Sequence, residues 1–202
     1  MLKIYGNRKS RTIRCFCALE ELGLDYEYVT IDHTSGESKS PDYLALNPAG
    51  KVPTLVDGDL VLFESIAINF YLAQKYKGTL WPEDPITQAL ALQWSFWAVA
   101  EIEPYVLTLA QERVFKPERA RDAAKAAAAE QQLKARLPVL DAHLQKMGGS
   151  LTTDDFNIAD LNVACVLSAV RLYQLDLSTW PAVKTWLEAA MTRPAIQKAM
   201  EG

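Results

Sequence analysis

The chain has 202 residues, half of them hydrophobic and 23% charged, with a formal net charge of −4. That balance supplies a sizeable core and excludes intrinsic disorder. A sequence pI near 5.3 excludes a general nucleic-acid binder, which needs a basic surface to displace counterions. Three cysteines, an odd number at this length, argue against a disulfide scaffold and for a reducing, cytoplasmic setting. The first 13 residues carry basic side chains but no apolar signal-peptide core, and apolar runs such as 163–170 are too short to cross a bilayer. His33 and His143 stand far apart with no neighbouring cysteine, so neither a zinc site nor a histidine-driven triad is expected.

In chain order, Leu2 to Tyr5 reads as a strand ended by Gly6. Residues 12–22 have helical spacing and stop at Gly23, a helix C-terminal glycine. Residues 26–31 alternate as a second strand, and strand, helix, strand implies a parallel pair. A polar connection follows. Residues 52–56 and 60–63 flank Asp57-Gly58, a strong hairpin signal, and residues 65–76 form the next helix. Residues 79–85 hold two prolines and read as a linker, so the expected division is 1–78, a linker, and 86–202.

Beyond the linker every segment looks helical. Residues 87–115 form one long run, with Glu103-Pro104 expected to kink or break it. Residues 118–147 carry Leu133, Leu137, Leu140, Leu144 and Met147 on one apolar face, closed by Gly148-Gly149. Helices at 158–173 and 182–191 and a short one from Pro194 complete the chain. Asn157, three residues before Asp160, predicts a reciprocal capping box and a folding role. Cys15, Cys17 and Cys165 sit in helices and read as small buried hydrophobes; the spacing of the first two does not make a redox pair.

Four segments together carry a family resemblance: Tyr5-Gly6 with Ser10 and Arg14-Cys15 through Gly23; the loop 47–55, Asn-Pro-Ala-Gly-Lys-Val-Pro-Thr-Leu; the segment 62–68, Leu-Phe-Glu-Ser-Ile-Ala-Ile; and 156–161, Phe-Asn-Ile-Ala-Asp-Leu. In this order the chain resembles the cytosolic glutathione transferases, most closely the plant phi class and its bacterial relatives. The resemblance implies a thioredoxin-like N-terminal domain (βαβ-ββα) followed by an all-helical C-terminal domain. It further implies glutathione as cosubstrate rather than a resident cofactor, a small hydrophobic electrophile as second substrate, and a homodimer. Isomerisation, dehalogenation or peroxide reduction on the same fold, or a non-catalytic binding module, are the alternatives.

The resemblance also assigns roles. A thiol of pKa about 8.5 must be lowered by about two units to react readily near neutrality, which takes about 2.7 kcal/mol. Ser10, after the first strand and just before the first helix, would supply a hydroxyl and a helix N-terminus. Lys9, Arg11 and Thr12 stay open as alternatives, and Arg11 is expected to face the site. Lys3, Arg8, Lys9, Arg11 and Arg14 precede the first acidic residue and would form a local positive field for an anionic peptide. Glu64 would pair with the γ-glutamyl ammonium, and Ser65 would open a helix onto its carboxylate. Val52-Pro53 matches a cis-proline turn that presents the Val52 backbone to the cysteinyl unit. Lys39 and Lys51 would reach the glycine carboxylate. Phe96, Trp97, Ala100, Tyr105 and Leu109 are candidates for the wall of the electrophile pocket, expected between the domains, against a core reading for the aromatics.

Overall fold

The computed structural model describes residues 1–32, 34–152 and 155–201, so His33 lies outside the described residues. The chain divides into two compact units, one of Met1–Trp81 together with the segment from Arg193 onward, the other of Pro82–Thr192.

The first unit is built on β1 (Leu2–Gly6), α1 (Thr12–Glu21), β2 (Tyr26–Thr30), α2 (Pro41–Leu46), β3 (Thr54–Asp57), β4 (Leu60–Phe63) and α3 (Ser65–Tyr76). The sheet order is β2-β1-β3-β4. β1 pairs parallel with β2, Leu2 opposite Tyr26, and antiparallel with β3, Tyr5 opposite Thr54. The β3–β4 hairpin closes with Asp57 opposite Leu60, so its two loop residues are Gly58-Asp59; Gly58 takes φ 61°, as such a tight turn requires. Ile4 and Leu55 on the sheet and Phe16, Leu19, Ile68 and Leu72 on α1 and α3 are buried and form the unit's core. α1 ends at Gly23, where Leu24 N–H returns to the Leu19 carbonyl, 3.0 Å. The polar connection contains a helix that polarity concealed: α2 starts at Ser40-Pro41, with the Ser40 hydroxyl accepting from Tyr43 N–H at 3.3 Å.

The second unit is helical: α4 (Pro85–Trp97), α5 (Glu103–Ala110), α6 (Ala123–Lys134), α7 (Leu137–Met147), α8 (Ile158–Leu167) and α9 (Pro181–Met191). Pro104 does not break the long run. A π-helical segment over Ala98–Ile102 joins α4 to α5, and a second follows over Gln111–Phe115; the widened turns absorb the proline's missing N–H. The Ala-rich run is two helices, because Pro138 cannot donate back into α6 and becomes the second residue of α7. The capping box at α8 is present: Asn157 accepts from Ala159 N–H at 3.0 Å, and Asp160 accepts from Asn157 N–H at 3.2 Å. Burial raises the Asp160 carboxyl against the opposing bonds from Trp186 Nε1 and Asn157 N–H. His143 bonds the Leu151 carbonyl at 2.8 Å and lies against Trp94, a structural placement.

The last helix, α10 (Pro194–Glu201), departs from the expected division. It packs on α1 in the first unit rather than extending the helical one. Ile196 and Ala199 are fully buried, Arg193 forks onto the Glu21 carboxylate at 2.6 and 2.8 Å, and Lys198 pairs with Glu20 at 2.6 Å. Apolar burial and this bidentate pair hold it there. Among the described residues no helix is long and apolar enough to cross a membrane.

Candidate active site

Strand register places three sequence motifs side by side. Tyr5 lies opposite Thr54, and Thr54 lies opposite Phe63. The end of β1, the start of β3 and the end of β4 are therefore neighbours. The Ser10 loop, the Val52-Pro53 turn and Glu64-Ser65 all leave the sheet at this one end. α1 and α3 both begin there and pack together, so the positive dipole ends of two helices open at the same place.

The first loop is tightly bonded. The Ser10 hydroxyl donates to the Asn7 carbonyl at 2.6 Å and lies 2.8 Å from the Thr12 hydroxyl. It also accepts from Thr12 N–H at 3.2 Å. Ser10 is half-buried, Thr12 fully buried, and Lys9 and Arg11 are exposed. The basic cluster expected here is dispersed. Lys3 pairs with Glu27 across the parallel strands at 2.8 Å. Arg8 bonds the Ala199 carbonyl of α10 and lies 4.3 Å from the Phe16 ring centroid. Arg14 is buried and donates to the Ser65 hydroxyl at 3.4 Å, tying α1 to α3. Lys9 and Arg11 lie on the loop surface, while Lys3, Arg8 and Arg14 are directed to carboxylate, carbonyl, ring or hydroxyl partners elsewhere in the unit.

The second motif carries a cis peptide bond at Val52-Pro53, with Val52 half-buried and Pro53 buried. The preceding loop is braced from below. Asn47 donates to the Lys51 carbonyl at 2.8 Å and to the Thr54 hydroxyl at 2.9 Å, while its side-chain oxygen accepts from Ala49 N–H at 3.1 Å. Tyr43, its phenol pushed up by burial, donates to the same Lys51 carbonyl at 2.7 Å. Lys39 reaches the Ala49 carbonyl at 3.3 Å, and Gly50 is required at φ 56°, since a Cβ there would meet Lys39 Nζ at 2.6 Å and the Ser38 carbonyl at 2.9 Å. Lys39 and Lys51 are both exposed on this loop.

At the third motif Glu64 is exposed and held at φ 73°, a conformation that costs a non-glycine residue about 1–3 kcal/mol. Its side chain makes no cap bond, which leaves the first N–H groups of α3 uncapped by it. Ser65 is buried beside Arg14. Sequence reasoning kept Thr12 only as an alternative to Ser10 and assigned no role at this end to Tyr43 or Asn47. Asn47 left a signal, in its Asn-Pro-Ala-Gly turn.

The expected pocket wall divides. Phe96 is 61% exposed, Ala100 is exposed, and Trp97 is half-buried edge-on to Trp94 at 5.2 Å. Tyr105 is half-buried with its hydroxyl accepting from Arg136 at 3.0 Å. Leu109 is fully buried and is a core residue of the helical unit, on α5, which packs against α6 and α8. Trp94 is likewise core, 5% exposed. Among the described residues no acidic, histidine or cysteine cluster could hold a metal.

Comparison with known proteins bears on family and fold. The family profile described as glutathione S-transferase, N-terminal domain, matches residues 1–74, and that described as glutathione S-transferase, C-terminal domain, matches 102–194. The chain is 40% identical to glutathione S-transferase 3 of Zea mays, covering 98% of this chain and 93% of that one. It is 32% identical to glutathione S-transferase GstB of Escherichia coli (strain K12), covering 99% and 98%. Among solved structures, glutathione S-transferase I bound with lactoylglutathione superposes with a TM-score of 0.90 at 35% identity, covering 98% of each chain. The theta class enzyme of Xanthomonas axonopodis pv. citri with glutathione bound gives 0.90 at 32% identity, covering 100% and 97%. The first unit is thioredoxin-like and the second an all-helical domain. The chain belongs to the glutathione S-transferase family, a family of transferases.

Proposed function

We propose that the chain conjugates the thiolate of glutathione to small hydrophobic electrophiles. The observation that carries this reading is the convergence of Ser10, Val52-Pro53 and Glu64-Ser65, with two helix N-termini, at one end of the sheet. Each chemical group of the tripeptide meets a suited partner there. The γ-glutamyl carboxylate seats on the uncapped N–H groups of α3, with Ser65 beside it and the Glu64 carboxylate opposite the ammonium. The cysteinyl backbone pairs with the Val52 N–H and C=O as a short added strand. Lys39 and Lys51 take the glycine carboxylate, and Arg11 adds positive charge at the loop surface. Ser10 donates to the sulfur, and together with the N-terminus of α1 favours thiolate over thiol. Phe96, Trp97, Ala100 and Tyr105 serve the electrophile. Glutathione is consumed as cosubstrate, and the reading requires no resident cofactor or metal.

The same reading places the protein in the cytoplasm as a homodimer, the α/β domain of one copy on the helical domain of the other. Exposed Phe63 and Phe96 support a protein-covered surface, and sedimentation at micromolar concentration tests it. For the catalytic part, Ser10→Ala is expected to lower turnover of a chlorinated aromatic by about tenfold to a hundredfold while binding to a glutathione matrix is retained. Full activity in that variant would remove Ser10 from catalysis. Matrix binding by the wild-type chain with no turnover on any electrophile, isomerisation, dehalogenation or peroxide substrate would replace the enzyme with a binding module.

A further inference from the structure

The Ser10 hydroxyl has one proton and three oxygen or nitrogen neighbours, and their distances fix where each proton lies. Ser10 Oγ is 2.6 Å from the Asn7 carbonyl oxygen, which has no proton to offer. Two oxygens at that separation need a proton between them, so the Ser10 proton lies on the Asn7 side. The 2.8 Å contact between Ser10 Oγ and Thr12 Oγ1 must then carry the Thr12 proton. Thr12 Oγ1 is itself held as an acceptor by Asn7 N–H at 3.3 Å. We propose that Thr12 is a positioning residue for the reaction: its hydroxyl donates to Ser10 Oγ, fixes that atom at the mouth of α1, and leaves the Ser10 proton to be given away.

Thr12 is built into this place. It is fully buried, and it fits only because residue 6 is glycine: a Cβ there would lie 2.1 Å from Thr12 Oγ1. Its backbone N–H supports the same serine oxygen, at 3.2 Å. With the Ser10 lone pairs occupied by two donors, its own proton has one role, which is to be donated outward. In the free protein it rests on the Asn7 carbonyl. When a thiolate arrives, a rotation of the Ser10 hydroxyl transfers that bond from carbonyl oxygen to sulfur, while Thr12 keeps Oγ in place. A hydroxyl that accepts a hydrogen bond is also a stronger donor, so Thr12 increases the stabilisation Ser10 gives to the anion.

The inference rests on the assignment of Ser10 to the thiolate, and the experiment separates the two. Thr12→Val removes the hydroxyl at nearly constant volume, Thr12→Ser keeps it, and Thr12→Ala serves if the valine variant does not fold. Expected for Thr12→Val or Thr12→Ala is a kcat at neutral pH about threefold to tenfold lower, the worth of one hydrogen bond. The ultraviolet thiolate signal of bound glutathione should titrate at correspondingly higher pH, KM for glutathione should be little changed, and Thr12→Ser should restore both kcat and the titration. In a Ser10→Ala background the Thr12 substitution should have no further effect on the titration. If Ser10→Ala is impaired but Thr12→Val titrates like wild type, the role of Thr12 is overturned and that of Ser10 stands. A Thr12 effect that persists undiminished without Ser10, or one confined to KM, overturns it too. Full activity of Ser10→Ala overturns both.

Discussion

At the scale of single residues, charges in this chain are matched locally instead of being pooled into one field. Arg8 shows the principle: sequence position puts it beside the Ser10 loop, yet its guanidinium is spent on the Phe16 ring and the Ala199 carbonyl. Asp57, at the end of β3, gathers Lys75, Tyr71 at 2.8 Å and Tyr76 at 3.1 Å from α3. The Lys75 bond, then the two tyrosine hydroxyls, hold its carboxyl below the usual range against a burial penalty. A depressed native pKa means that Asp57 adds stability above its unfolded pKa of about 4, and that this is lost as pH falls through the native value. Asp57→Asn is therefore expected to be less stable than wild type at pH 6 by about 1–2 kcal/mol, chiefly through the weakened tyrosine bonds. The difference should close in thermal unfolding below about pH 4. A constant difference across that range would contradict it.

At the scale of elements, the site depends on a loop held by side chains rather than by ladder bonds. Residues 47–53 carry no regular structure, and Asn47 with Tyr43 fastens the Lys51 carbonyl directly before Val52. Removing Asn47 takes one partner each from the buried Thr54 hydroxyl and from the part-buried Lys51 carbonyl and Ala49 N–H. Asn47→Ala is expected to cost about 2–3 kcal/mol and to raise KM for glutathione more than it lowers kcat, read in steady-state kinetics with saturating electrophile. Elsewhere, elements obey proline in two ways. Pro138 ends α6 because a new helix can begin there, whereas Pro104 is absorbed by the π segment before it. Both prolines are the second residue of the helix that follows, where a missing N–H costs no helical bond.

At the scale of the whole molecule, the chain closes on itself by sequence ends. The segment from Arg193 onward crosses back to α1, so the first unit is discontinuous and cannot be cut at the linker without loss. Ile196 and Ala199 bury apolar surface worth about 3 kcal/mol, and Arg8 loses the Ala199 carbonyl and Glu21 its Arg193 fork when the segment goes. Deletion of residues 193–202 is expected to lower the thermal midpoint by several degrees and to lower turnover, because Arg8 lies two residues before Ser10. Unchanged midpoint and turnover would show that α10 is dispensable.

Sequence by itself determined what is local in physics. The parallel β1–β2 pair, the Asp57-Gly58 hairpin, the helix ends at Gly23 and Gly148 and the capping box at Asn157 each follow from a few adjacent residues whose backbone needs are strict. The family motifs likewise lie within short windows. Tertiary structure decided whatever depends on a partner far along the chain. Arg14 meets Ser65 across 51 residues, Arg8 meets Ala199 across 191, and Leu109 is fully buried on α5, which packs against α6 and α8. Hydrogen bonding and burial saturate with whichever groups the fold brings close. A basic or apolar residue type therefore names the kind of partner it needs, and only the folded chain says which partner that is.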